Sequence, residues 1–155
     1  MSIANVVRLP RRRDLRAVFE RCAFETGFLL TVRDRAGIEG LLRRHDTRHS
    51  PDPVLLNELL RYKLRISRGA REPVSPEFVV AGCRVVYRIA DKEPRAGLLS
   101  MCPAPRPGHV LVASLLGATL IGMRHLQAAP LLRDDGRIDT VVVLDTMPPP
   151  DTDAA

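Results

Sequence analysis

The chain has 155 residues, of which 45% are hydrophobic, and it carries a net charge of +6. This length allows one domain of ordinary size, or one compact domain with a smaller appendage. No apolar run approaches the roughly 20 residues that a membrane helix needs, which argues against a membrane partner. With no tryptophan, two Tyr and four Phe, the chain offers few platforms for binding nucleic acid by base stacking.

The positive charge is concentrated in the first half of the chain. Residues 1–72 contain sixteen Arg and Lys against nine Asp and Glu, whereas residues 73–155 contain eight against nine. This asymmetry indicates that the N-terminal half faces an acidic partner, either protein or nucleic acid. The alternative is that arginine serves only as a solubilising residue.

The cysteines indicate a reducing compartment. Cys22, Cys83 and Cys102 are odd in number, widely spaced and outside any C-x-x-C pattern, which argues against a disulfide framework and a structural zinc site. The basic run Arg11–Arg13 is not followed by an apolar segment of signal-peptide length. We therefore expect a cytoplasmic protein.

Residues 1–28 form an N-terminal extension with a weak helical pattern. Apolar residues recur there at helical spacing and predict a short amphipathic helix from about Asp14 to Ala23. The apolar face consists of Leu15, Val18, Phe19 and Cys22, and the opposite face of Arg12, Arg13, Arg16 and Arg21.

Two helices are predicted next. After the β-like run Phe28–Val32, Asp34 is expected to cap a short helix with one apolar stripe. Asp52 followed by Pro53 then predicts the start of a second helix, from Val54 to about Arg68, which Gly69 should close. Two amphipathic helices joined by a short turn predict an antiparallel hairpin. Its basic face, expected to point to water, consists of Arg61, Lys63, Arg65 and Arg68.

Beyond a linker at residues 72–76, the pattern is typical of strands around one helix. Ser114 is placed to cap a short helix that ends at Gly122, and this helix has almost no polar face, so we expect it to lie buried against a sheet. Asp135-Gly136 is a signal for a tight hairpin. The predicted strands are Cys83–Ile89, Leu98–Cys102, Val110–Ala113, Ala128–Arg133 and Ile138–Leu144.

Candidate chemistry is sparse. His45 and His49 stand four residues apart, as metal ligands on a helix can, but the breaker-rich segment that follows favours a solvated turn. Asp134 and Asp135 suit a turn as well. No P-loop, G-x-S-x-G or G-x-G-x-x-G motif occurs. We therefore expect no enzymatic activity, no cofactor, no metal ion and no small-molecule substrate.

Three stretches carry a resemblance to a known family. They are Ser75–Tyr87, Val110–Gly122 and the Asp135-Gly136 hairpin, and the most specific match is Ser114-Leu-Leu-Gly-Ala-Thr-Leu-Ile-Gly122. Together they resemble the C-terminal domain of the GreA/GreB-type transcription elongation factors. Within that family, the short helix pair of residues 29–69 is most similar to the regulator of nucleoside diphosphate kinase (Rnk).

The resemblance implies a partner and a mode of binding. It implies that an FKBP-like domain docks at the rim of the secondary channel of bacterial RNA polymerase while the hairpin enters the channel, with at most indirect nucleic-acid contact. Gre factors hold a catalytic magnesium with two acidic residues at the hairpin tip. The tip here offers Asp46 and Asp52, and Asp52 is expected to be occupied as a cap, so transcript cleavage is not expected. The docking stretches are Leu98–Ala113 and the loop 123–127, with Met101, Met123, Arg124 and His125.

The sequence therefore predicts an α+β protein: a short N-terminal antiparallel helical hairpin at residues 29–72, then an FKBP-like antiparallel β domain with one short buried helix at residues 73–147, and a disordered tail at residues 148–155. The expected function is non-enzymatic regulation of transcription. Two alternatives stay open, namely a basic nucleic-acid-binding module and an FKBP-like peptidyl-prolyl isomerase. The isomerase needs an aromatic-lined pocket, for which this domain offers Tyr87 and Phe78.

Overall fold

The computed structural model describes residues 27–149, so the predicted N-terminal helix and most of the predicted tail lie outside the described residues. The first half of the described chain contains two helices and a two-stranded parallel sheet. Its elements are β1 (Leu29–Leu30), α1 (Val32–Arg43), a 3-10 turn (Asp46–His49), α2 (Pro53–Ile66) and β2 (Arg68–Gly69).

The second half is a five-stranded, mostly antiparallel sheet with one helix. Its elements are β3 (Arg84–Ile89), β4 (Arg95–Ser100), β5 (His109–Leu111), α3 (Leu115–Leu120), β6 (Ala128–Leu132) and β7 (Ile138–Met147). The strand order is β5-β4-β3-β7-β6, and β4 and β5 form the one parallel pair of this sheet. The fold is therefore mixed α+β, and none of the helices within residues 27–149 is long and apolar enough to cross a membrane.

The cap of α1 differs from the prediction. Thr31, not Asp34, caps the helix, because its Oγ1 accepts a hydrogen bond from the Asp34 amide at 2.9 Å. The Asp34 side chain is buried instead and accepts a hydrogen bond from the Ala81 amide at 3.2 Å. Burial raises the pKa of this carboxyl group. The hydrogen bond to Ala81 joins α1 to the segment that leads into β3.

The start of α2 is confirmed, and its end is corrected. The Asp52 carboxylate accepts a hydrogen bond from the Leu55 amide at 3.0 Å, and Pro53 occupies the first turn, where no amide donor is missed. The helix ends at Ile66 with Ser67 as its C-cap. Gly69 does not close it, because Gly69 lies in β2 and pairs with Leu30 of β1.

The predicted centre of the second half is confirmed in its local geometry. The Ser114 Oγ accepts a hydrogen bond from the Gly117 amide at 3.1 Å and caps α3. Gly122 follows the helix with a φ of 82°, a backbone conformation that glycine adopts at little cost. Asp135-Gly136 forms the tight turn between β6 and β7, with Gly136 at a φ of 86°.

The two halves share one hydrophobic core. Apolar side chains from β1, α1 and α2 form a single buried cluster with those of the sheet and α3. Both helices therefore lie against the body of the protein along their inner faces. The expected division into two domains near residue 72 stays a prediction.

Lys63 is the largest departure from the pattern on α2. It was expected to face water, but its side chain is fully buried. Its Nζ donates hydrogen bonds to the carbonyl oxygens of Thr119 at 2.8 Å and Ile121 at 2.9 Å, and lies 3.6 Å from the centre of the Phe28 ring. Desolvation lowers the pKa of this amine well below its ordinary value. A basic residue thus fastens α2 to the end of α3.

Candidate functional site

A large cleft lies where the 3-10 turn approaches the sheet. The turn after α1, the β4–β5 loop, the start of α3 and the β6–β7 turn surround a space of about 790 Å³. Prolines 51, 103 and 105 contribute to its walls. Its apolar floor, called the leucine floor below, consists of Leu111, Ala113, Leu115, Leu116, Leu131 and Leu132.

Three of the polar residues that line the cleft are acidic. Asp46, Asp134 and Asp135 line it together with Arg133. Three ion pairs involve these residues: Arg44 with Asp46 at 3.0 Å, Arg133 with Asp139 at 3.4 Å and Arg137 with Asp135 at 3.5 Å. All three are partly exposed, so each contributes little to stability. Within residues 27–149, Asp134 makes no ion pair.

A buried side chain joins the 3-10 turn to α2. Thr47 is buried and its hydroxyl donates a hydrogen bond to the Asn57 side chain of α2. His45 precedes the turn in the left-handed region with a φ of 55°, and the Nε2 of His49 accepts a hydrogen bond from Arg48 at 3.2 Å. His45 and His49 therefore do not share one helical face. Among the described residues no group of three or more His, Cys, Asp or Glu is arranged to hold a metal ion.

The two predicted tip residues are separated in role. Asp46 lines the cleft and pairs with Arg44. Asp52 caps α2 through its carboxylate. Neither carboxylate is thus free of a protein partner, and the two do not converge as a pair on the cleft.

The predicted docking residues are dispersed, and one is corrected. Met123 is fully buried, so its side chain cannot contact a partner. Met101 is half-buried against Gly37 of α1. Arg124 and His125 are exposed, and the Nε2 of His125 lies 2.7 Å from the Leu144 carbonyl oxygen. None of these four lines the cleft, whereas the predicted stretch Leu98–Ala113 reaches it.

The basic face of α2 is smaller than predicted. Arg61, Arg65 and Arg68 are exposed, and the Arg65 guanidinium lies 5.7 Å from the centre of the Tyr62 ring. Lys63 does not belong to this face, because it is buried.

The cleft cannot be recognised from the sequence. Asp134 and Asp135 were explained by turn chemistry alone, and Leu131 and Leu132 by a strand. They line the same cleft as the 3-10 turn, although the two segments are more than 80 residues apart in the chain. The carboxylates of Asp46, Asp134 and Asp135 stand out in a basic protein, but nothing in the sequence indicates that they lie near one another.

Comparison with known proteins identifies the fold. No protein-family model and no curated protein matches the sequence. Among solved structures, the prokaryotic transcription elongation factor GreA/GreB from Nitrosomonas europaea matches with a TM-score of 0.56 and 15% identity, covering 78% of this chain and 99% of that one. The chain has the fold of this elongation factor.

Two further matches are weaker. The Gfh1 protein of Thermus thermophilus, a GreA factor homologue, matches with a TM-score of 0.39 and 15% identity, covering 79% of this chain and 99% of that one. Thermus aquaticus Gfh1 matches with a TM-score of 0.39 and 18% identity, covering 80% of this chain and 100% of that one. These values are too low to add to the argument on the fold.

Proposed function

We propose that this protein is a non-enzymatic transcription regulator that binds bacterial RNA polymerase at its secondary channel and therefore acts in the cytoplasm. The observation that carries the proposal is the shared fold with the GreA/GreB elongation factor, which extends over 99% of that chain. The motif from Ser114 to Gly122 supports it from the sequence. Within the family, we propose a role like that of Rnk, because the helix pair is short.

The lengths of the helices support a compact mode of binding. With 12 and 14 residues, α1 and α2 extend about 18 and 21 Å at roughly 1.5 Å per residue. The Arg35 guanidinium of α1 donates hydrogen bonds to the carbonyl oxygens of Leu64 and Ser67 at the end of α2. We propose that the two helices act as a short hairpin whose tip, the 3-10 turn, reaches only the channel entrance.

The surface proposed to dock on polymerase is the cleft with its leucine floor, as part of an FKBP-like domain. Leu111, Leu115 and Leu116 are only partly buried there, and apolar side chains that converge in a concave site are typical of binding surfaces. Because this surface lies directly beside Asp46, one partner could contact the floor and the tip together.

We propose that the protein does not stimulate transcript cleavage. Stimulation by holding a magnesium ion requires carboxylates that are available to the ion. Asp46 lines the cleft, whereas Asp52 is engaged at the start of α2, so the two carboxylates do not converge as a pair that could hold the ion. Replacing Asp46 by alanine should therefore leave cleavage in a stalled elongation complex at its basal rate.

The experiment that tests the function is a binding titration against purified core polymerase. A Leu116→Glu variant places a charge on the leucine floor and should lower the affinity by at least tenfold. The matched control is Val32→Glu, at a side chain that is 82% exposed in the first turn of α1, where an acidic residue is favourable. If Leu116→Glu bound as well as Val32→Glu, the cleft would not be the docking surface.

The other two functions have less support. The isomerase requires an aromatic-lined pocket, but the residues that line the cleft include no aromatic side chain, and Tyr87 is buried. A nucleic-acid-binding module retains the exposed Arg61, Arg65 and Arg68. Its affinity for DNA or RNA should fall steeply with salt, so measuring polymerase and DNA binding at two salt concentrations separates the two modes.

A further inference from the structure

The leucine floor lacks a cover within the described part of the chain. Leu111, Leu115 and Leu116 remain partly exposed at the bottom of a cleft of about 790 Å³. A cleft of this size, rich in leucine, suits the apolar side of a helix or an extended peptide better than water. We therefore expect an apolar group to occupy the cleft.

The charge of the cleft narrows the chemistry of that occupant. The chain as a whole carries +6, but three carboxylates line the cleft, those of Asp46, Asp134 and Asp135, together with Arg133. Asp46 and Asp135 also form partly exposed ion pairs with Arg44 and Arg137, which are weak enough to be exchanged for other cations. Such a site favours a segment that combines apolar side chains with positive charge, because complementary charges fix which partner binds and in which orientation.

The N-terminal segment of the same chain has this composition. Residues 11–22 contain the run Arg11–Arg13 and two further arginines, Arg16 and Arg21, against the two acidic residues Asp14 and Glu20. The apolar side chains interleaved with these arginines recur at helical spacing: Leu15, Val18, Phe19 and Cys22.

The segment can also reach the cleft. The Leu29 amide donates a hydrogen bond to the Gly122 carbonyl oxygen at 3.0 Å, which places the start of the described chain beside the end of α3. Ser114, at the other end of α3, lines the cleft, about 12 Å away at roughly 1.5 Å per residue. The five steps along the chain from Cys22 to Gly27 span up to about 17 Å when extended, at roughly 3.3 Å per residue.

We propose that residues 11–22 occupy this cleft as an intramolecular ligand, with Leu15, Val18 and Phe19 on the leucine floor, Cys22 at its edge and the arginines facing Asp46, Asp134 and Asp135. Because the segment is tethered, its effective concentration at the cleft is high even if the isolated contact is weak. Any partner that uses the leucine floor must displace it. The proposal does not depend on polymerase being that partner.

The test uses two native cysteines of the full-length chain. Cys102 is exposed and directly precedes Pro103 of the cleft wall, and Cys22 belongs to the proposed ligand. A short bismaleimide should link Cys22 to Cys102 within one molecule, as identified by peptide mapping of the monomer. Occupancy of the cleft predicts a yield several-fold above that of the urea-unfolded chain.

Charge reversal separates recognition from chance proximity. The variant Asp46→Lys/Asp134→Lys should lower the yield several-fold, and adding Arg12→Glu/Arg16→Glu should restore it. The matched control, Asp91→Lys/Glu93→Lys, changes the net charge by the same amount but in the exposed β3–β4 turn. It should not alter the cross-linking yield. A yield equal to that of the unfolded chain, links mainly between molecules, or equal yields in all variants would each overturn the proposal.

Discussion

Gly117 is the position where a single methyl group should damage the fold most clearly. A Cβ added there would lie 1.8 Å from the Leu111 carbonyl oxygen, 2.5 Å from the Leu111 carbonyl carbon and 2.9 Å from the Val112 Cα. All three atoms belong to the backbone, so no rotation of a side chain relieves the contact. Either α3 must move away from the end of β5, or the strand must shift.

The size of the effect follows from two opposing contributions. Alanine is a better helix former than glycine by about 1 kcal/mol. Overpacking that forces backbone shifts costs about 1–3 kcal/mol and occasionally more, and a contact this short places Gly117→Ala at or beyond the upper end. We expect the free energy of unfolding to fall by about 2–3 kcal/mol net, and the melting temperature by roughly 10 °C for a domain of this size.

The assay is urea and thermal unfolding followed by circular dichroism, with Gly40→Ala as the control. Gly40 lies in α1, and the nearest atoms to an added Cβ belong to the flexible guanidinium end of Arg44, at 2.9 Å from Nη1. The same substitution should there be neutral or stabilising by up to about 1 kcal/mol. If Gly117→Ala were as stable as Gly40→Ala, the close approach of α3 to β5 would be refuted.

Three further predictions concern stability. Burial lowers the pKa of Lys63 below 10.5. At pH values between this lowered pKa and 10.5, the unfolded chain binds a proton at Lys63 that the folded chain lacks. The free energy of unfolding should therefore rise with pH across that window. Urea unfolding at several pH values should show this slope in the natural protein and not in Lys63→Met, and parallel profiles would contradict it. Asp52→Ala should cost about 1 kcal/mol in the same assay, because it removes the cap of α2, and an unchanged stability would mean that this cap is dispensable. Met123→Ala should cost about 2–5 kcal/mol as a core truncation, whereas exposed Arg124→Ala should stay within about 0.5 kcal/mol, and equal losses would contradict their assigned burial.

Features that depend on a few neighbouring residues could be predicted from the sequence. Asp52 before Pro53, Ser114 before the apolar helix and the Asp135-Gly136 turn each act on backbone groups within three residues. The α+β class followed from the order of these signals. The motif from Ser114 to Gly122 then led to the elongation factors whose fold the chain shares.

Features that depend on distant contacts could not be predicted. Lys63 looks like a solvated residue between Arg61 and Arg65, and only the carbonyl groups of Thr119 and Ile121, more than 50 residues away, explain its burial. Met123 follows a helix-ending glycine as a loop residue would, but it packs in the core. The cleft escaped for the same reason, since its walls come from four separate segments.

The central proposal is that this protein binds bacterial RNA polymerase at its secondary channel. The most direct measurement is a competition experiment, in which fluorescently labelled protein bound to core polymerase is titrated with an unlabelled GreA/GreB-type factor. We expect complete displacement by the factor, together with weakened binding of the Leu116→Glu variant. Absence of binding, or binding that persists at saturating competitor, would contradict it.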